Sequence, residues 1–284
     1  MNILTNDNIT LNVETAGKGP ACLYLHGGPG YWSQSFKHFA GPHLENHLEM
    51  IYLDQRGCGL SQHDENQNYS LDRLIEDIED VRKALNIQKW YVIGHSFGGI
   101  LAANYAKHYP AHVEGLILSN ATLNFKSSIT HQIKKGFNLL EIQHQEIPSE
   151  NLSAFMDLFN NVLERLVREG KYFSMQFREL SAKQKLDGVD EDLNTDPAFQ
   201  QYVFSSEDYF RDFTELTQDI NIPVMVISGK YDDAIGPDHY KAFRFPDMSV
   251  QMIEGAHHPY VENQEEFKAS VLQFVNTREK RKTL

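Results

Sequence analysis

Cys22-Leu23-Tyr24-Leu25, Met50-Ile51-Tyr52-Leu53, Tyr91-Val92-Ile93, Leu116-Ile117-Leu118 and Val224-Met225-Val226-Ile227 are short, nearly continuous apolar runs. A strand with one wet face alternates apolar and polar residues, so unbroken runs of this length read as strands covered on both faces. Asn8 to Thr15 does alternate, through Ile9, Leu11 and Val13, and reads as a half-buried strand. Between the runs lie helical patterns. Leu71, Leu74, Ile75, Ile78, Val81 and Leu85 recur at spacings of three and four behind Ser70, a suitable N-cap. Alternating strand and helix predicts an α/β chain with a mostly parallel central sheet flanked by helices.

The alternation stops near Asn120 and resumes at Ile222-Pro223. In the gap, Leu152, Phe155, Met156, Phe159, Val162, Leu163, Leu166 and Val167 trace one face of a helix, and the remainder is polar, studded with aromatics and free of strand runs. We expect a helical cap over residues 122–213, inserted into a core formed by 1–121 and 214–284. Long insertions at the C-terminal ends of parallel strands commonly shape a ligand site. Beyond the cap we expect a strand, a helix near Asp238 to Phe243, a strand from Ser249 to Ile253 and an amphipathic helix from about Gln264 to Asn276. A basic tail, Arg278 to Lys282, follows, where cations suit a helix C-terminus.

Gly94-His95-Ser96-Phe97-Gly98 is a G-x-S-x-G that follows one buried run and precedes a helical pattern. A nucleophile held between strand and helix needs a strained backbone, and small flanking residues let neighbouring chains approach that turn. Ser96 is the expected nucleophile. Its hydroxyl needs a base and an orienting carboxylate, and both follow in the order Ser, Asp, His. Asp232 lies in Gly229-Lys230-Tyr231-Asp232-Asp233, after the run ending at Ile227, and His257 in Gly255-Ala256-His257-His258-Pro259, after the strand ending at Ile253. Loops that follow parallel strands open on one edge of the sheet, so these residues can converge. Leu25-His26-Gly27-Gly28-Pro29-Gly30 ends another buried run, and consecutive glycines let backbone amides reach a developing oxyanion. Gly28 and Phe97 are the expected amide donors.

Other chemistries fit less well. The glycine-rich run lacks both the Lys-Ser/Thr ending of a phosphate loop and the G-x-G-x-x-G spacing of a dinucleotide site. No H-E-x-x-H or C-x-x-C occurs, and neither a metal site nor a cofactor is implied. A net charge of −13 repels phosphate backbones and anionic lipid, so we expect no nucleic-acid or membrane partner. The expected partner is a small-molecule or short-peptide substrate, and the sequence leaves the oligomeric state open. No stretch approaches a membrane span, the first residues lack a leader pattern, and only Cys22 and Cys58 are available for disulfides, which points to the cytoplasm.

With these motifs assembled, the chain resembles the α/β-hydrolase superfamily and, within it, the proline iminopeptidase (prolyl aminopeptidase) family. His26-Gly27-Gly28-Pro29-Gly30 matches that family's H-G-G-P-G, Asp54-Gln55-Arg56-Gly57-Cys58-Gly59-Leu60-Ser61 its D-Q-R-G-x-G-x-S, and Gly229-Lys230-Tyr231-Asp232 resembles its G-R-Y-D. The resemblance implies an α/β-hydrolase fold with an inserted helical cap, and a triad of Ser96, Asp232 and His257. His257 is preferred to His258 because superfamily members often end G-H-x-P-x-x-E, here His257 through Glu262. It also implies carboxylates that hold a substrate amine, for which Glu207 and Asp233 resemble the acidic positions of archaeal relatives. Asp54 and Arg56 read as an ion pair or turn network behind the oxyanion loop. The elbow reads G-H-S-F-G, a form shared with many esterases and C–C hydrolases, where typical proline iminopeptidases resemble G-G-S-W-G. The expected activity is therefore a serine hydrolase acting through an acyl-enzyme, foremost an aminopeptidase releasing N-terminal proline or another small residue. The alternatives are a carboxylesterase or lactonase with the same triad, and a non-catalytic ligand receptor on the same scaffold.

Overall fold

In the computed structural model, which describes residues 1–282, the expected runs form adjacent strands of one sheet. The strands are β1 (Asn2–Leu4), β2 (Thr10–Gly17), β3 (Ala21–Leu25), β4 (Glu49–Leu53), β5 (Trp90–His95), β6 (Val113–Ser119), β7 (Val224–Gly229) and β8 (Met248–Ile253). Their order is β1-β2-β4-β3-β5-β6-β7-β8. β2 pairs antiparallel with β4 and β1 with β2, while β4 through β8 run parallel. β5 is buried at every position and β3 at all but its first, which is why their sequences show no alternation.

Helices α1 (Gln34–Leu44), α2 (Leu71–Ala84) and α3 (Gly98–His108) fill the crossovers. Ser70 caps α2 by accepting from the Arg73 amide. Between β6 and β7 the chain leaves the sheet for α4 (Phe125–Leu139), α5 (Leu152–Arg168), α6 (Leu180–Val189) and α7 (Pro197–Ser205). α5 buries Phe155, Phe159, Val162 and Leu166 of the stripe expected from its sequence, whereas Val167, also assigned to that face, is exposed. α8 (Pro259–Glu262) and α9 (Gln264–Lys282) close the chain, and the basic tail falls partly outside the described side chains.

One element is corrected. The helix expected from Asp238 to Phe243 is a single 3₁₀ turn, His239–Ala242, because Pro237 and Pro246 bracket a segment too short to propagate an α-helix. Among the described residues, no helix is long and apolar enough to cross a membrane.

Candidate active site

Ser96 follows β5 directly, with φ at +53°, a left-handed conformation costly for a side chain with a Cβ. The surrounding sequence over-determines it. The Ser96 amide donates to the carbonyls of Asn120 and Ser119, and its own carbonyl accepts from Gly99 and Thr122. A Cβ on Gly94 would come within 2.6 Å of the Gly98 carbonyl oxygen, and one on Gly98 within 2.2 Å of the Leu25 oxygen. Only glycine lets β3, β5 and α3 close around this turn.

His257 Nε2 lies 2.9 Å from Ser96 Oγ, and His257 Nδ1 lies 2.9 Å from Asp232 Oδ2. A carboxylate only accepts, so Nδ1 carries the ring proton and Nε2 is left to accept from the Ser96 hydroxyl. Asp232 is fully buried and also accepts from the amides of Ala234 and Ile235 and from Asn120 Nδ2, the last at 2.7 Å. Burial pushes its carboxyl up, and the His257 imidazole with the Asn120 amide more than reverses this, holding it below the usual carboxylate range. The His257 main chain is pinned too: its amide donates to the Gln176 carbonyl, and His95 Nε2 donates to its carbonyl at 2.8 Å. Glu262, the end of the G-H-x-P-x-x-E pattern, accepts from the Ala256 amide.

His258 points elsewhere. Its ring stacks on Phe177 at 4.8 Å, and Nδ1 pairs with the Tyr260 hydroxyl. Burial, reinforced by the neighbouring His257 and His95, pulls its pKa well below the ordinary histidine value.

The Gly28 and Phe97 amides have no acceptor among the described residues. Gln55, from the D-Q-R-G motif, organises the loop that carries Gly28. Its amide donates to His26 Nε2 and its side chain to the His26 carbonyl, so His26 Nδ1 holds the proton and donates to the Gly27 carbonyl at 3.0 Å. The two glycine-rich motifs are thus joined through one imidazole. Asp54 accepts from Ser33 and Leu60 in a turn network, whereas Arg56 pairs with Asp7, Asp64 and Asp77. No Arg56–Asp54 ion pair forms.

Ser96, His257 and Gly28 border a cavity of about 400 Å³, walled largely by apolar residues of the helical segment such as Phe125, Ile129, Phe159, Phe173 and Leu186. The carboxylates expected to hold an amine are corrected here. Glu207 is exposed and does not line the cavity. Asp233 is likewise absent from the lining, and its carboxylate is hydrogen-bonded to His131 Nε2 at 2.9 Å and ion-paired with Lys135 at 2.7 Å. The acids that do line the cavity are Asp187, paired with Lys183, and Asp190, which accepts from Tyr31 Oη, Trp32 Nε1 and Ser35 Oγ. Asn120, Gln55 and Asp190 were not singled out in the sequence. Of these, Asn120 carries a usable signal: a residue tolerant of left-handed φ, directly after a buried strand at the edge where Ser96 and Asp232 emerge.

A model of the alpha/beta hydrolase fold family matches residues 20–264. A curated relative named proline iminopeptidase, from Heyndrickxia coagulans, is 26% identical over 280 residues, covering 92% of each chain. Among solved structures, a proline iminopeptidase-related protein from Thermus thermophilus superposes with a TM-score of 0.81 at 21% identity, over 97% of this chain and 96% of that one. An esterase from Exiguobacterium antarcticum gives 0.73 at 19%, over 97% and 99%.

Proposed function

This chain belongs to the α/β-hydrolase fold family, and from that premise we propose that it is a serine hydrolase of the proline iminopeptidase type, with residues 122–213 as the cap over its site. The observation that carries the reading is the unbroken relay from Ser96 Oγ through His257 to the buried Asp232. Ser96 attacks the scissile carbonyl carbon as its proton passes to His257 Nε2, and Asp232 stabilises the resulting imidazolium. Negative charge gathers on the carbonyl oxygen and is met by the Gly28 and Phe97 amides. His257 returns the proton to the leaving amine, leaving an acyl-enzyme. Water then attacks the acyl carbon and gives a proton to His257 Nε2; the C–Oγ bond breaks as His257 passes that proton to Ser96 Oγ, and the acid product leaves.

The aminopeptidase reading draws on the curated relative named proline iminopeptidase. A free α-amine is protonated near neutrality and needs a carboxylate when buried, and Asp190 is the candidate on the cavity wall. The esterase reading is favoured by the apolar wall and by the three donors already on Asp190.

A fluorophosphonate probe is expected to label the protein at Ser96, with labelling lost in Ser96→Ala; label retained in that variant would refute the nucleophile. A panel of prolyl, alanyl and leucyl arylamides, N-acetylprolyl arylamide and short p-nitrophenyl esters separates the two substrate readings. For an aminopeptidase, the free prolyl arylamide far exceeds its N-acetyl form. Asp190→Asn then costs that substrate about 2–4 kcal/mol in kcat/KM while sparing neutral esters. Equal turnover of free and blocked substrates selects the esterase.

A further inference from the structure

We propose that the cap connection from α6 to α7 together with the first turn of α7, residues 190–200, is a positioning device for the oxyanion donor, with Thr195 and Gln200 holding the loop that presents the Gly28 amide; this rests on the serine-hydrolase reading above. The Gly28 N–H shares a planar peptide unit with the Gly27 carbonyl. On the core side that carbonyl is held by His26 Nδ1. What remains free is rotation about Gly28 itself, whose φ of +113° lies where only glycine is at ease.

The far side of Gly28 is held by the cap. Gln200 Nε2 donates to the Pro29 carbonyl at 2.9 Å, and the Thr195 hydroxyl donates to the Gly30 carbonyl. A Cβ on Gly30 would lie 2.6 Å from Thr195 Cγ2 and 2.8 Å from Gln200 Cγ, so the cap packs directly onto the bare α-carbon. The same segment is anchored, backbone to backbone, on the second glycine-rich loop. The Asp196 amide donates to the Gly57 carbonyl and the Gly59 amide to the Asn194 carbonyl, both at 2.9 Å, with Cys58 and Thr195 in an antiparallel bridge. At its start, Asp190 accepts from Tyr31 and Trp32, the residues that follow the oxyanion loop. The H-G-G-P-G and D-Q-R-G-C-G motifs thus form the seat of this cap segment, and the geometry of the oxyanion amide depends on residues about 165 positions downstream.

The test measures kcat, KM, melting temperature and the second-order rate of Ser96 labelling by a fluorophosphonate, whose phosphoryl oxygen occupies the same amides. Thr195→Val keeps the shape and deletes the hydroxyl, Thr195→Ser keeps the hydroxyl, and Gln200→Leu deletes the amide. Removing an oxyanion donor outright costs about 10²–10³ in kcat, and misaiming one is expected to cost roughly 10-fold per substitution and up to about 100-fold together. KM is expected to stay within about twofold, since ground-state binding is unaffected. Labelling should slow in parallel with kcat, and Thr195→Ser should recover the wild-type rate. The proposal is overturned if folded variants match wild type in kcat and labelling, if KM rises to account for the loss, or if Thr195→Ser is as impaired as Thr195→Val. Should the double variant unfold, the Thr195→Val and Thr195→Ser pair carries the test alone. Failure of the wild-type protein to label at Ser96 would defeat the serine-hydrolase reading and this proposal with it. Normal wild-type labelling with unimpaired variants defeats only the proposal.

Discussion

Asn120 offers the most direct test of how the buried acid is held. One hydrogen of its side-chain amide goes to Asp232 Oδ2 at 2.7 Å and the other to the Ala256 carbonyl at 2.9 Å, with the whole residue inaccessible to water. Its φ is +45°, so glycine can replace it without strain, whereas alanine must adopt a left-handed backbone. Asn120→Gly deletes one hydrogen bond to a charged group, worth about 1.5–3 kcal/mol, and one neutral bond, worth about 0.5–1.5 kcal/mol. Asn120→Ala loses the same bonds and adds roughly 1–2 kcal/mol of backbone strain. The expected destabilisation is therefore about 2–4.5 kcal/mol for glycine, with alanine lower still, measured by urea unfolding. Asp232 keeps its bonds to the Ala234 and Ile235 amides, so it is loosened rather than released. We expect kcat to fall about tenfold, equivalent to about 1.4 kcal/mol, with KM unchanged. A glycine variant with wild-type stability and kcat would refute the account of Asp232, and an alanine variant more stable than the glycine one would refute the strain.

His257→Ala is expected to lower kcat by about 10⁴ or more, because relay members act as a unit, while His258→Gln retains most activity; comparable losses, read by arylamide or ester turnover, would contradict the orientation of the two rings. His95 has its pKa pulled down to about 3, first by burial and then by the neighbouring His257 imidazole, so the folded protein refuses a proton that the unfolded chain accepts below about 6.5. The stability this group contributes is intact above that value and is lost as pH falls. Between pH 6.5 and 5 the loss from His95 is about 1.6 kcal/mol, and His95→Gln is expected to flatten that slope in urea titrations at successive pH values.

The parts of the fold set by burial were legible in the residues. β3, β5 and β7 are covered on both faces and therefore read as unbroken apolar runs, and α5 shows its buried stripe at helical spacing. Ser96, Asp232 and His257 are legible as a group because each lies in the turn or loop that follows a strand, β5, β7 and β8 in order, and a parallel sheet delivers successive strand ends to one edge. The partners of an individual carboxylate were not. The family resemblance assigns Asp233 to a substrate amine, yet it is occupied by His131 and Lys135 from α4, about a hundred residues earlier in the chain. Nothing local to Lys230-Tyr231-Asp232-Asp233 records that docking. Asp190 shows the converse: an acidic residue in a polar stretch becomes cavity wall because α6 packs over Tyr31 and Trp32. β1 has no signature in the sequence because three residues with one buried side chain make no period.

The grip of α4 on the loop after β7 bears on how readily such an enzyme can change its diet. His131 and Lys135 hold Asp233, and Gln132 donates to the Ala234 carbonyl, so one face of α4 clasps the residues immediately beyond Asp232. Replacing α4 from a relative would exchange part of the cavity wall and this clasp in a single step. α5 is under no such obligation. It brings Met156, Phe159, Asn160 and Leu163 to the cavity and touches the core machinery through none of the hydrogen bonds described above. Substitutions on the cavity face of α5 leave the clasp on the acid loop intact, whereas those at His131, Gln132 or Lys135 of α4 loosen it.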